Sequence, residues 1–217
     1  MKTILSNIKT LGLLLLASLV LSACQPQIQE SSKEYDLEAF VKSNEEDFAK
    51  TAQRILGPLK QNLMGTLMKE LEHSAERAVS ACQLEAPGIA DRARGENPVV
   101  EIGDQLFQVE LGRTSHKVRN PDNRPVDWMK DYIATFSELE SGAFDPQSDT
   151  VIAVAASDKV GYLEPIALGP MCMTCHGDEI DGDLHQLISQ KYPEDEATGF
   201  SPGDFRGFFW VTFELAK

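Results

Sequence analysis

The first half of the chain carries apolar residues at helical spacing. Over residues 48–56, and again over residues 59–82, apolar side chains recur every three or four positions, as in amphipathic helices with one buried face. The dipeptide Gly57-Pro58 predicts an interruption or kink between these stretches, and Ala86-Pro87-Gly88 predicts where the second loses its regularity. Cys82 is therefore expected on a buried face, late in a long helix.

The second half of the chain changes to a strand-like period. Residues 99–102 and 106–111 alternate around Gly103-Asp104, which predicts a β-hairpin. Further strands are predicted at residues 151–155, 160–166 and 207–213, and short helices at 127–139 and 183–190. The last of these strands is apolar on both faces. Helices followed by antiparallel strands predict an α+β protein.

The N-terminus resembles an export signal. Residues 11–21 are almost wholly apolar, which is too short for a comfortable membrane span and suits the core of a signal peptide. They end in Leu21-Ser22-Ala23-Cys24, which resembles the lipobox of bacterial lipoproteins. Cys24 would then carry the acyl chains that anchor the protein, and Gln25 favours the outer membrane by the same resemblance. An ordinary signal peptide followed by a coincidental cysteine is the alternative.

These features predict three segments along the chain. Residues 1–23 form the signal peptide, residues 24–40 a polar tether, and residues 41–217 one domain large enough for a single core. The formal net charge of −14 becomes −16 without residues 1–23, which contain Lys2, Lys9 and no acid. Such a charge repels nucleic acid, so no nucleic-acid partner is expected. It would favour a cationic partner, although a solvated acidic surface is the commoner reason for it.

The pentapeptide Cys172-Met173-Thr174-Cys175-His176 is the strongest chemical signal in the chain. Two cysteines separated by two residues and followed by histidine form the c-type haem attachment pattern. The thiols add to the two vinyl groups of one haem, and this spacing leaves His176 under the iron as first axial ligand. The alternatives are a reducible disulfide or half of a zinc site, but the sequence has no second CxxC to complete the latter.

Cys82 is the cysteine that these assignments leave over. It is either a small buried hydrophobe, as free cysteines often are, or the second axial ligand of the iron, and the residues alone favour neither reading. The other candidates for that ligand are Met64, Met68, Met129, Met171, Met173, His73, His116 and His185. Met171 and Met173 lie too close to the attachment motif to reach the opposite face of a haem easily.

A cluster of basic residues follows the predicted hairpin. Its members are Arg113, Lys117, Arg119 and Arg124. Arginine matches a carboxylate with two parallel hydrogen bonds, so Arg113, Lys117 and Arg119 are candidate contacts for haem propionates. A solvated loop that balances nearby acids explains the cluster equally well. Trp128 and Tyr162 are expected either to line a haem pocket or to pack in the core.

Several segments of the chain resemble one protein family in matching order, over about residues 45–215. They are residues 81–90 around Cys82, residues 112–123, Tyr162-Leu163-Glu164-Pro165-Ile166, the motif from Cys172 to Gly177, and Gly203-Asp204-Phe205-Arg206-Gly207. The family comprises exported c-type haem proteins with a PAS-like fold, first described structurally in a cyanobacterium. The resemblance implies a PAS-like antiparallel sheet behind long helices, axial ligation by His176 and Cys82, and a role in redox or ligand sensing. His116 departs from the family pattern.

Three functions remain open from the sequence. The first is a sensor of redox state or of a small ligand, which holds one covalent haem c at the periplasmic face of a bacterial membrane and signals through a partner protein. The second is a one-electron carrier. The third is an enzyme such as a peroxidase, which ranks last because the sequence supplies no clear distal acid–base pair. A non-enzymatic haem protein is therefore expected.

Overall fold

The computed structural model describes residues 35–216, so the predicted signal peptide and Cys24 lie outside the described residues. The helices are α1 (Leu37–Ser43), α2 (Glu45–Leu71), α3 (Ala75–Glu96), α4 (Lys130–Ser137), α5 (Met173–His176) and α6 (Gly182–Lys191). The strands are β1 (Val99–Ile102), β2 (Gln105–Thr114), β3 (Val151–Ala156), β4 (Lys159–Ala167) and β5 (Phe205–Leu215). None of the helices within residues 35–216 is both long and apolar enough to cross a membrane.

The two long helices break at a different place from the one predicted. Helix α2 continues through Pro58 and α3 continues through Pro87, so the predicted interruption at Gly57-Pro58 and the predicted loss of helical regularity at Ala86-Pro87-Gly88 are both wrong. The chain turns instead at residues 72–74, where the Ser74 hydroxyl caps α3 by accepting a hydrogen bond from the Arg77 N–H at 3.3 Å. An internal proline removes one helical hydrogen bond. Buried side chains on both sides of Pro58 hold α2 in place, because tertiary packing supplies most helix stability.

The packed domain begins earlier than residue 41. Asp36 caps α1 by accepting a hydrogen bond from the Ala39 N–H at 3.0 Å. Leu37, only 4% exposed, packs in the main core together with Val41. Residues 36–40 therefore belong to the compact unit that starts at Asp36. The predicted tether includes them, so the predicted boundary at residue 41 lies too late.

One antiparallel sheet forms the second half of the molecule, with the strand order β1-β2-β5-β4-β3. The central strand β5 is apolar on both faces because both faces are covered. Val211 and Phe213 pack with residues of α2 and α3, whereas Phe205 and Phe208 pack with residues of α4. These features confirm the predicted α+β fold, with a PAS-like antiparallel sheet behind long helices.

The edge of the sheet beside β2 is only half covered by a strand. β1 pairs with residues 105–108 of β2, so the second half of β2 has β5 on one side and no strand on the other within residues 35–216. Helix α3 and two loops, residues 120–126 and 191–194, border this free edge. The uncovered edge leaves room for a cavity between a sheet and a helix.

Candidate functional site

The CxxCH motif forms a short helix. A 3-10 turn, Pro170–Cys172, leads directly into α5, which ends at His176. The Cys172 and Cys175 thiols are free and face different clusters. Cys175 packs with Val79 of α3 and with α6, whereas Cys172 packs with Leu168, Ala197 and Phe200.

His176 is held in one tautomer by the neighbouring loop. Its Nδ1 lies 2.7 Å from the Ala197 carbonyl oxygen, and since a carbonyl can only accept, Nδ1 must carry the proton. Burial lowers the pKa of the ring to about 3, with the positive charges of Arg206 and Arg119 adding to the effect. The ring is therefore neutral and its Nε2 lone pair is available. This is the arrangement of a histidine that ligates a metal, whose other nitrogen donates to a backbone carbonyl.

Cys82 lines a cavity of about 580 Å³ between α3 and the free edge of β2. A volume of this size lies within the range of small-molecule and cofactor sites. Burial raises the pKa of the Cys82 thiol, and the charges of Arg113 and Arg119 oppose that shift. Burial likewise raises the pKa of the Cys175 thiol, and Cys82 contributes to that rise. Cys82 and Cys175 therefore lie within electrostatic reach of each other, although Cys172, Cys175 and His176 do not line the cavity.

The predicted propionate contacts have different partners. Arg113 lines the cavity and makes no hydrogen bond or ion pair within residues 35–216. Arg119 is paired with Asp195 at 3.1 Å, and the Lys117 Nζ donates to the Thr198 carbonyl at 3.3 Å. Arg113 is thus the member of the set whose charge is free to meet an anionic ligand in the cavity. Arg119 and Lys117 instead hold the loop that follows α6.

None of the other candidate axial ligands lines the cavity that contains Cys82. Met64, Met68, Met171, His73 and His185 are exposed, Met129 packs with α4, and Met173 packs with Cys172. The His116 ring stacks on Phe205, with ring centroids 5.8 Å apart, and meets the edge of Phe200. Its buried Nδ1 has no hydrogen-bond partner among the described residues. Cys82 is the candidate that the fold brings to the cavity.

Sequence reasoning missed several residues of the site. Arg206 donates hydrogen bonds to the Ser115 hydroxyl at 2.8 Å and to the Lys117 carbonyl at 3.0 Å, and burial lowers its pKa to about 10. Its segment, Gly203 to Gly207, carried a signal only through the family resemblance. Asp195 and Ala197 lie in a Pro- and Gly-containing loop that no sequence pattern marked.

Of the two alternatives left open for Trp128 and Tyr162, the structure favours core packing. Trp128 packs on Gly161 of β4, where an added Cβ would lie 2.3 Å from the indole ring. Tyr162, fully buried, faces the main core from the same strand. Neither lines the cavity, whereas Trp210 of β5 does. Trp128 and Tyr162 are therefore core residues.

The side chains described above include the kinds of ligand that a haem requires. No cluster of three or more histidine, cysteine or acidic side chains that could hold a metal ion occurs among residues 35–216. What these residues offer is one neutral imidazole, three free thiols and an arginine without a partner in a cavity. Imidazole and thiolate are both axial ligands of haem iron, and arginine suits a carboxylate. The residues present fit a haem.

Comparison with known proteins supports the same family as the sequence motifs. The family model described as "Tll0287-like: Tll0287" matches residues 35–213. A solved structure, the crystal structure of the cyanobacterial heme-protein Tll0287, is 20% identical in sequence, with a TM-score of 0.55. The match covers 79% of this chain and 97% of that chain, and it shows a shared fold. The curated proteins contain no match to the sequence. Because the family model spans most of its length, the chain belongs to the Tll0287-like family.

Proposed function

We propose that this chain is an exported, lipid-anchored haem c protein that senses redox state or a small ligand. Cys172 and Cys175 would hold one haem covalently, with His176 and Cys82 as its axial ligands. One contact between the two elements that carry the proposed ligands supports this. Val79, which lies three residues before Cys82 on α3, packs in the same cluster as Cys175, the neighbour of His176. The charges of Arg113 and Arg119 also act on both the Cys82 thiol and the His176 ring.

The haem assignment rests on four observations. The CxxCH spacing is a covalent requirement of c-type attachment. The His176 tautomer leaves Nε2 available, as ligation needs. The solved relative, a member of the same fold, is a heme-protein. Arg113, which faces the cavity without a partner, supplies the positive charge that a propionate would need.

The sensing role follows from the chemistry of Cys82. A thiolate ligand donates electron density to iron and favours the ferric state, which lowers the reduction potential relative to His/Met ligation. Burial disfavours a charged Cys82 once the charge on the metal falls. Cys82 would then take up a proton and leave the iron, opening a position for a small ligand. Since Cys82 lies on α3, its release would act on a helix that packs against both α2 and β2.

The decisive experiment uses the protein matured with haem, compared with Cys82→Ser. Ferric electron paramagnetic resonance should show low-spin iron with a thiolate ligand in the wild type and a different signal in the variant. Met68→Leu is the matched control, because Met68 is an alternative ligand that lies exposed on α2. Identical ferric spectra for wild type and Cys82→Ser would refute the Cys82 assignment.

Reduction with and without carbon monoxide separates a sensor from an electron carrier. A sensor should bind carbon monoxide after reduction, because Cys82 leaves the iron. A wild-type protein whose ligation survives reduction, and which excludes carbon monoxide, would be a one-electron carrier instead. Peptide mass spectrometry should find the haem mass on the peptide that contains Cys172 and Cys175.

The membrane anchor requires a separate test. Mass spectrometry of the mature N-terminus should find an acylated Cys24, and Cys24→Ala should release the protein from membranes into the soluble exported fraction. Soluble wild-type protein, processed before residue 24 without acylation, would leave an ordinary signal peptide as the explanation.

A further inference from the structure

We propose that Arg119 and Asp195 form a positioning pair for His176, a role that rests on the proposed function of His176 as an iron ligand. The pair fixes the Ala197 carbonyl, which accepts the His176 Nδ1 proton, and thereby sets the ring orientation and the donor strength of Nε2. Arg119 bonds the carbonyls of Ala197 and Cys175, and Asp195 bonds Arg119 and the Ala197 N–H, so the pair acts by positioning rather than by ligation.

A continuous set of hydrogen bonds carries this inference. The Arg119 Nη2 donates to the Ala197 carbonyl at 3.3 Å and to the Cys175 carbonyl at 2.5 Å. Asp195 accepts the Arg119 Nε–H at 3.1 Å and the Ala197 N–H at 2.9 Å through the same carboxylate oxygen. Both the N–H and the carbonyl of Ala197 are thus held by this ion pair. The carbonyl that orients His176 has little freedom to turn.

The pair is buried, which makes its geometry specific. The side chain of Arg119 is 13% exposed and that of Asp195 is 8% exposed. The guanidinium meets both carboxylate oxygens, since Nε binds Oδ1 and Nη2 lies 3.1 Å from Oδ2. A buried ion pair costs desolvation energy, and its fork geometry cannot be reproduced by lysine. A pair of this kind is weak evidence for stability, but it suits a role in fixing one arrangement of nearby groups.

The same carbonyl also links Arg119 to the electronic character of His176. Two donors share the Ala197 oxygen, the His176 Nδ1–H at 2.7 Å and the Arg119 Nη2–H at 3.3 Å. The cation competes for the acceptor and so limits how strongly the carbonyl draws the imidazole proton. A weaker pull leaves His176 a less electron-rich ligand, which raises the reduction potential. Arg119 therefore opposes the potential-lowering effect that a thiolate ligand would have.

The two halves of the pair should shift the reduction potential in opposite directions. Arg119→Met removes a positive charge and frees the carbonyl for His176, and both effects lower the potential. Asp195→Asn removes a negative charge and leaves Arg119 freer to bind the carbonyl, and both effects raise it. Arg119→Lys keeps the charge but loses the fork, so it should lower the potential less than Arg119→Met does and broaden the ferric resonance signal.

The test is a redox titration of the haem-loaded protein with electron paramagnetic resonance on each variant. The control is Lys60→Met, because Lys60 of α2 and Glu164 of β4 form a partly buried ion pair at 2.6 Å away from His176. The side chains of that pair are 33% and 13% exposed, and neither residue lines the cavity that contains Cys82. The control should leave the resonance signal unchanged and move the potential less than Arg119→Met.

Each result decides the proposal. Opposite shifts for Arg119→Met and Asp195→Asn, together with a broadened signal for Arg119→Lys, would support positioning. An Arg119→Lys protein identical to wild type would overturn it, because charge alone would then explain the shifts. A wild-type protein without His176-ligated haem would overturn both this proposal and the proposed function, whereas normal ligation with unchanged variants would overturn only the positioning role. Should Arg119→Met fail to accumulate, Arg119→Lys and Asp195→Asn decide alone.

Discussion

Replacing Phe48 with alanine should remove a large part of the stability of the domain. Phe48 is fully buried, and its ring meets Phe107 at 5.4 Å and Phe213 at 5.3 Å between centroids, both edge to face. It therefore joins α2 to β2 and to the central strand β5. Truncation of a buried phenylalanine costs about 3–5 kcal/mol through lost transfer energy and the cavity left behind. Phe48 also meets Phe40 edge to face at 6.2 Å, and the loss of three aromatic pairs places the expected cost near the top of that range.

The assay is urea denaturation of wild type and Phe48→Ala, followed by far-ultraviolet circular dichroism. A loss of about 4–5 kcal/mol compares with a total of about 5–15 kcal/mol for a typical domain, so the midpoint should fall sharply. Leu84→Ala is the control, because Leu84 on α3 is 75% exposed and its removal should change stability by less than about 0.5 kcal/mol. A loss below about 2 kcal/mol for Phe48→Ala would refute the packing of α2 on the sheet.

Three further predictions address the site and its support. Protein prepared without haem should lose stability as pH falls from about 6.5 towards 3, because His176 is half-buried and neutral with a folded pKa of about 3. This stabilisation is complete only above the ordinary histidine pKa. Acid titrations followed by circular dichroism should show a shallower loss in His176→Gln, and equal slopes would contradict the reasoning. Arg113→Gln should lower the reduction potential of the haem-loaded protein by tens of millivolts, which corresponds to about 1 kcal/mol, because it removes a positive charge that acts on both proposed ligands. An unchanged potential in a redox titration would contradict this role of Arg113. Gly161→Ala should lower the melting temperature, at a cost of about 1–3 kcal/mol, because its Cβ would lie 2.3 Å from Trp128, and it should leave the haem spectrum unchanged, since Trp128 does not line the cavity.

Local patterns predicted most of the elements, because apolar spacing reports which face of a segment is buried. The hairpin turn at Gly103 was predicted correctly, and Gly103 has the positive φ of 60° that such a turn favours. The break at Pro58 was not, because the sequence shows the local cost of a proline but not the buried contacts that outweigh it. Strand order was beyond reach for a related reason, since pairing joins residues distant in sequence.

The candidate site likewise contains features that are local in the sequence and features that depend on distant residues. The CxxCH motif predicts covalent haem attachment from five residues alone, because that chemistry fixes their spacing. The partners of His176 could not, since Ala197 lies in a loop 21 positions away and is held there by Arg119. Trp128 and Trp210 illustrate the difficulty, because only Trp210 lines the cavity. Which tryptophan does so depends on the strand order and on the sheet face that each side chain occupies. Neither property can be predicted from the residues next to each tryptophan in the sequence.

The charges around the site give a physical reason for coupling Cys82 to redox state. Arg206 is acted on by the positive charges of Arg119 and Arg113 and by the negative charge of Asp195, so these four side chains carry two net positive charges in an otherwise acidic protein. A ferric haem with two ionised propionates and a Cys82 thiolate would bring two net negative charges, which the arginines would balance. One added electron would leave an uncompensated negative charge in a buried setting, where it is costly. Protonation of Cys82 restores the balance, so we expect the release of Cys82 on reduction to take up a proton and the reduction potential to fall as pH rises.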